Sequence, residues 1–173
     1  GLISCGFMLA LILAGMAQAS TITVGPGTGY DFDAIQAGID AASGGDTVLV
    51  GPGKYVITEP ISFLGKAITV RSAAGPDETT IRMGTPADPK RGCVVVFENN
   101  ETADSVLDGF TVTGGRGALL DDWAAGGILF AASSGTVRNC TIVQNTSRWG
   151  GGVYCFQPCS PSLIDCTIAE NSA

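Results

Sequence analysis

The spacing of apolar and polar positions changes character twice along the chain. Residues 1–19 carry no charge and hold the apolar run from Phe7 to Met16. Thr21-Ile22-Thr23-Val24 then reads as a β-branched strand, closed by the turn-forming run Gly25-Pro26-Gly27-Thr28-Gly29. Between Asp31 and Ala42, Phe32, Ile35, Ile39 and Ala42 recur at helical spacing. With Asp31 as N-cap and Gly44-Gly45 as the stop, this predicts one amphipathic helix of about three turns. No helical period persists beyond it. Short apolar segments follow instead, at Thr47 to Val50, Ala67 to Val70, Cys93 to Phe97, Val106 to Val112, Gly127 to Phe130, Thr136 to Val143, Gly152 to Cys155 and Leu163 to Ile168. Gly, Pro, Asn, Asp and Ser separate them, so each predicts a short strand.

The later segments repeat. Asp108-Gly109-Phe110-Thr111-Val112, Arg138-Asn139-Cys140-Thr141-Ile142 and Ile164-Asp165-Cys166-Thr167-Ile168 superimpose at steps of 30 and 26 residues, and Gly126-Gly127-Ile128 superimposes on Gly151-Gly152-Val153 at a step of 25. A unit of that size without a helix fits one coil of a parallel β-solenoid, whereas a propeller blade needs about 40 residues. Stacking explains the pattern, because one coil cannot bury its apolar side chains alone while coils about 4.8 Å apart share an interior. The register predicts inward ladders of Phe110, Cys140 and Cys166, and of Val112, Ile142 and Ile168. It also stacks Asn145 on Asn171 in a turn, each amide within reach of the backbone and of its neighbour.

Composition narrows the chemistry. The chain of 173 residues has 25 Gly, no His and a formal net charge of −7. Without imidazole there is no Ser-His or Cys-His couple and no HExxH zinc site, so catalysis would fall to carboxylates, Arg, Lys, Tyr or an oxygen-bound metal. The acidic balance lacks a basic footprint for nucleic acid. Ala17-Gln18-Ala19 after the apolar run has the small residues of a leader-peptide cleavage site, which predicts a signal peptide over 1–19 and an exported mature chain from Ser20. The run is too short for a comfortable membrane span. In an oxidising compartment Cys155-Phe156-Gln157-Pro158-Cys159 has the spacing of a small disulfide loop, while Cys140 and Cys166 read as a buried ladder.

The stretch Asp31-Phe32-Asp33-Ala34-Ile35-Gln36-Ala37-Gly38-Ile39-Asp40-Ala41-Ala42, followed by Gly45-Asp46-Thr47-Val48-Leu49-Val50-Gly51-Pro52-Gly53-Lys54-Tyr55, resembles the opening of right-handed parallel β-helix proteins of the pectin-lyase-like superfamily. The Gly-Gly-Val-Tyr and Cys-Thr-Ile-x-x-Asn units are similar to the repeats of polymorphic outer-membrane-protein-type surface β-helices. The resemblance implies an all-β, right-handed parallel β-helix over 20–173, with the helix capping its N-terminal end. Residues 20–55 would form the cap and first coil, with a Pro-Gly-x-Tyr turn closing that coil, and 56–173 further coils of an array of about six, interrupted at its C-terminal end. It further implies an exported protein, secreted or at the cell surface, that binds or processes polysaccharide as pectate lyases or glycoside hydrolases do. The alternative within the same superfamily is a non-catalytic adhesin or structural passenger. Lyases of this fold use Ca²⁺ held by Asp and Glu oxygens, but no acidic cluster repeating on successive coils is evident here.

Candidate site residues follow from the repeat. Trp123 and Trp149 lie 26 residues apart, each just ahead of a Gly-Gly strand, which places them on one side of the solenoid, with Asp122 and Arg148 on adjacent coils. Read functionally, the indoles are platforms for sugar rings, flanked by Asp121, Asp122, Arg148 and Arg116. Read structurally, they cover the solenoid's flank, and Asp122 with Arg148 is a surface ion pair. Asp121 and Asp122 are also the nearest approach to the paired carboxylates of glycoside hydrolysis. No metal site is expected from the cysteines, since one Cys-x3-Cys supplies only two ligands.

Overall fold

A computed structural model describes residues 18–117 and 125–173. Among the described residues fifteen short strands lie in three parallel sheets, which the chain visits in rotation from β2 onward. Face 1 holds β1 (Thr21–Val24), β2 (Thr47–Val50), β5 (Thr69–Ser72), β8 (Val106–Asp108), β11 (Thr136–Arg138) and β14 (Ser162–Ile164), neighbours in that order. Face 2 stacks β3 (Gly53–Ile57), β6 (Thr79–Met83), β9 (Thr111–Thr113), β12 (Thr141–Val143) and β15 (Thr167–Ala169). Face 3 stacks β4 (Ile61–Ser62), β7 (Val95–Phe97), β10 (Ile128–Ala131) and β13 (Val153–Phe156). The chain is an all-β parallel solenoid of about five turns with a single short helix among the described residues.

The register is the one the repeats predict. Thr111 pairs with Thr141 and Thr141 with Thr167, while Ile128 pairs with Val153. Like side chains therefore stack inside. Val48, Val70, Leu107, Val137 and Leu163 form one column of face 1, and Ile81, Val112, Ile142 and Ile168 one of face 2. Phe110 and Cys140 are buried, with Cys166 half-buried above them. Each apparent long strand of the repeat is in fact two, bent at a corner where Gly109, Asn139 and Asp165 occupy one register with φ of 81°, 52° and 51°. Gly, Asn and Asp are the residues that tolerate this left-handed conformation, so the corner is written into the repeat.

Face 3 contributes a ladder that the repeats do not disclose. Phe63, Phe97 and Phe130 stack with ring centroids 4.6 and 4.7 Å apart, fully buried along the solenoid axis. The Asn ladder closes the next corner. Asn145 Nδ2 donates to the carbonyls of Val112 and Val143 and to Asn171 Oδ1, and its Oδ1 accepts from Gly115 N–H at 2.8 Å. Asn171 Nδ2 donates to Ile142 O at 2.8 Å.

The N-terminal elements depart from the sequence reading. The helix, α1, runs only Ile35–Ala41, about two turns, with Ala34 at the N-cap and no side-chain cap bond. Asp31 is used elsewhere: its carboxylate accepts from Thr23 N–H and Oγ1, both at 2.7 Å. Phe32 bridges to Val24 on β1, so backbone pairing withdraws these residues from the helix. The Pro-Gly-x-Tyr segment also differs, because Gly53 opens strand β3 and pairs with Thr79. α1 joins β1 to β2 and buries Ile35, Gly38 and Ile39. A methyl group at Gly38 would stand 2.6 Å from Val24 and 3.0 Å from Val48, so the helix packs closely because that position lacks one.

Candidate functional site

The outside of face 3 is unlike that of a solvated sheet. Its strands point Val96, Leu129 and Tyr154 outward in one register column, and Ala131 is paired with Phe156 in another. Cys93, Val96, Ala125, Leu129 and Ala131 form a second apolar cluster there, with Tyr154 and Phe156 packed against it. The two rings lie 6.3 Å apart, tilted, and both are partly exposed. Burial pushes the Cys93 thiol up to about 12, so within this cluster it is an inert apolar group rather than a nucleophile.

Trp149 borders this face at the corner leading into β13. Gly150 follows it and bridges to Ala125, and a Cβ at Gly150 would lie 2.7 Å from Tyr154 Cβ. The indole is 52% exposed, and the Arg148 guanidinium sits over the ring, 5.0 Å from its centroid. That arrangement orients a planar ring and supplies a fixed cation beside it. Arg116 is exposed one coil earlier, where its backbone bridges to Thr146, so Arg116, Arg148 and Trp149 share one corner. Asp121, Asp122 and Trp123 lie outside the described residues. Sequence reasoning singled out Trp149 and Arg148 but missed Tyr154 and Phe156. Their alternation along β13 is the signal that marks them as outward.

A second concavity, of about 890 Å³, opens at the N-terminal end. It lies between the residues leading into α1, the outer side of β3 and the β3–β4 turn, and is bounded by the segment around Arg91 and Glu98. Those two side chains form a bidentate ion pair at 2.5 and 3.2 Å, and Glu98 holds the Arg91 guanidinium above its ordinary value. Asp33, Glu59 and Asp88 add carboxylates to the wall against Lys54. The cleft is thus richer in negative than in positive side chains.

Cys155 and Cys159 are joined in a disulfide with Cα atoms 6.2 Å apart, closing the turn after β13 beside the aromatic face. Cys140 and Cys166 are free thiols stacked one above the other. Burial pushes the Cys140 thiol up to about 12. Among the described residues no three Cys, Asp or Glu side chains converge as ligands would. The oxygen cluster that calcium-dependent chemistry needs is not met among those residues. No described helix is long and apolar enough to cross a membrane.

No family model matches the chain, and no curated protein matches it.

Proposed function

We propose that this chain is an exported β-helix protein that binds polysaccharide at or outside the cell surface. The observation that carries the proposal is the aromatic edge of face 3. Half-exposed Trp149, with Arg148 over its ring, sits at the corner leading into β13, the strand that carries Tyr154 and Phe156. Sugar rings present flat C–H faces and equatorial hydroxyls, so an apolar platform edged by fixed donors is the matching chemistry. Tyr154 and Phe156 stand on a stacked strand, which keeps their geometry with little ordering cost on binding.

Charge narrows the ligand. A net charge of −7 opposes a polyanion at long range despite Arg116 and Arg148 at this edge, so the reading favours neutral or amino-substituted glycans over polyuronates. Retention on insoluble neutral polysaccharides, compared with pectate and alginate at low salt, tests this. Binding to the neutral polymers with no retention on polyuronates is expected, and the reverse order would overturn it.

The winding is proposed to be right-handed, as in the pectin-lyase-like superfamily, with α1 covering the first coil and the leader ending at Ala19. α1 supports the capping role by its position between the two end strands of face 1. A second reading, a structural or adhesive passenger of repeated coils, is favoured by the regular Gly-Gly and Cys-Thr-Ile units stacked in register. The two readings differ in whether the face 3 edge carries a ligand.

A further inference from the structure

Ser20 lies at a junction that joins export to folding. Its N–H donates to Asp46 Oδ1 at 2.8 Å, and its carbonyl accepts from Thr47 N–H at 2.9 Å. The other oxygen of the same carboxylate accepts from Ser43 N–H at 2.8 Å, in the turn that follows α1. Asp46 itself is buried and in turn accepts, through its carbonyl, from Thr69 N–H on the next coil. One carboxylate therefore ties the start of β1, the exit from α1 and the start of β2. Gln18, Ala19 and Ser20 are exposed and precede β1, so the Ala19–Ser20 amide is accessible, while the chain enters the sheet from Thr21.

We propose that the mature N-terminus is Ser20, and that its α-ammonium forms an ion pair with the buried Asp46 carboxylate that locks the first coil. The step is hydrolysis of the Ala19–Ser20 amide by an export-linked leader endopeptidase. One water is consumed, a carboxylate stays on Ala19, and the Ser20 amine is protonated at neutral pH. The proposal rests on the leader reading of Ala17-Gln18-Ala19. It adds that cleavage turns a neutral amide donor into a charged one at an acceptor already in place. A donor of that kind makes hydrogen bonds roughly twice as strong as neutral ones. The Ser20 and Ser43 N–H groups already hold Asp46 below its ordinary range, so the carboxylate is ionised and ready for a cation. The arrangement is specific to one position. A chain beginning at Ala19 carries its ammonium one residue too early, and one beginning at Thr21 has lost the donor.

Two measurements test the two halves separately. Intact mass of the protein exported with its leader should correspond to a chain beginning at Ser20; any other N-terminus overturns the processing site. Independently, the chain is released from a cleavable fusion with Ser20 first, and compared with the same chain acetylated at its α-amine. The free amine should melt higher by roughly 2–5 °C, and starting the chain at Ala19 should give the acetylated value. In Asp46→Asn the free and acetylated forms should melt together. Equal melting of the two forms with Asp46 present, or a difference that survives Asp46→Asn, overturns the ion pair. The acetylation comparison needs no substitution, so it decides even if Asp46→Asn does not fold.

Discussion

Asn145 shows what a single side chain contributes to this fold. It is fully buried, and its amide satisfies backbone groups of its own coil and the one before, and meets Asn171 on the one after. Asn145→Ala removes those partners together, leaving Gly115 N–H and the Val112 carbonyl without their bonds, and should destabilise the chain by about 2–4 kcal/mol. Urea unfolding monitored by far-ultraviolet circular dichroism measures it, and a loss below the ordinary scatter of surface substitutions would contradict the ladder's role. Asp31 and Asp46 act at the same scale through pH. Hydrogen bonds from Thr23 to Asp31, and from Ser20 and Ser43 to Asp46, hold both carboxyls below 3.8. Their contribution is therefore complete above that value and is lost as pH falls through the lower folded-state values. Replacing both with Asn should flatten the acid dependence of the urea midpoint below about pH 4 and leave the slope above about pH 5 unchanged. The Asn ladder was legible because Asn145 and Asn171 follow the same Cys-Thr-Ile strand. The use of Asp31 was not, because an Asp ahead of an apolar period serves equally as a helix cap or as a turn clamp, and only tertiary pairing with Thr23 decides.

At the scale of elements, α1 and the aromatic ladder illustrate two reasons why sequence reading stops where it does. The helix was visible from the spacing of Ile35 and Ile39, but its start was not, since Phe32 bridges to Val24 on β1 instead of joining the helix. Gly38 sits in the middle of α1 facing Val24 and Val48. By helix propensity alone Gly38→Ala should stabilise by about 1 kcal/mol. The close approach reverses the sign: overpacking should lower stability by about 1–3 kcal/mol. Thermal unfolding of the variant distinguishes the two, and an increase in melting temperature would show that the helix does not rest on the sheet as described. β3, β4 and β6 escaped notice because the early coils differ in length, Thr47 pairing with Thr69 and Thr69 with Val106, so no fixed step reveals them. Phe63, Phe97 and Phe130 escaped for the same reason, although they form the most extensive aromatic stack among the described residues. The later coils were legible because the same short motif recurs around Gly109, Asn139 and Asp165, at steps of 30 and 26 residues, with like residues at matching positions.

Across the whole molecule, the solenoid separates what holds it together from what it can display. Inward columns of Val, Leu, Ile and Phe and the Asn ladder serve stability, leaving outward positions free to vary. On face 3 the outward positions Val96, Leu129 and Ala131 are apolar and buried, and the partly exposed rings of Tyr154 and Phe156 with half-exposed Trp149 at their border are the basis of the functional reading. Trp149 and Arg148 were legible from their place ahead of a repeated Gly-Gly strand. The apolar outer face was not, because period-two alternation is obscured where both sides of a strand are hydrophobic, as in Ile128–Ala131. An array of neutral, amino-substituted and acidic glycans, probed with the unmodified chain and with Trp149→Ala, decides whether this edge binds glycan. The unmodified chain should bind neutral or amino-substituted glycans, and the variant should bind them at least roughly tenfold more weakly, about 1.4 kcal/mol. Identical binding profiles for the two proteins, or no glycan bound by either, would refute glycan binding at this edge.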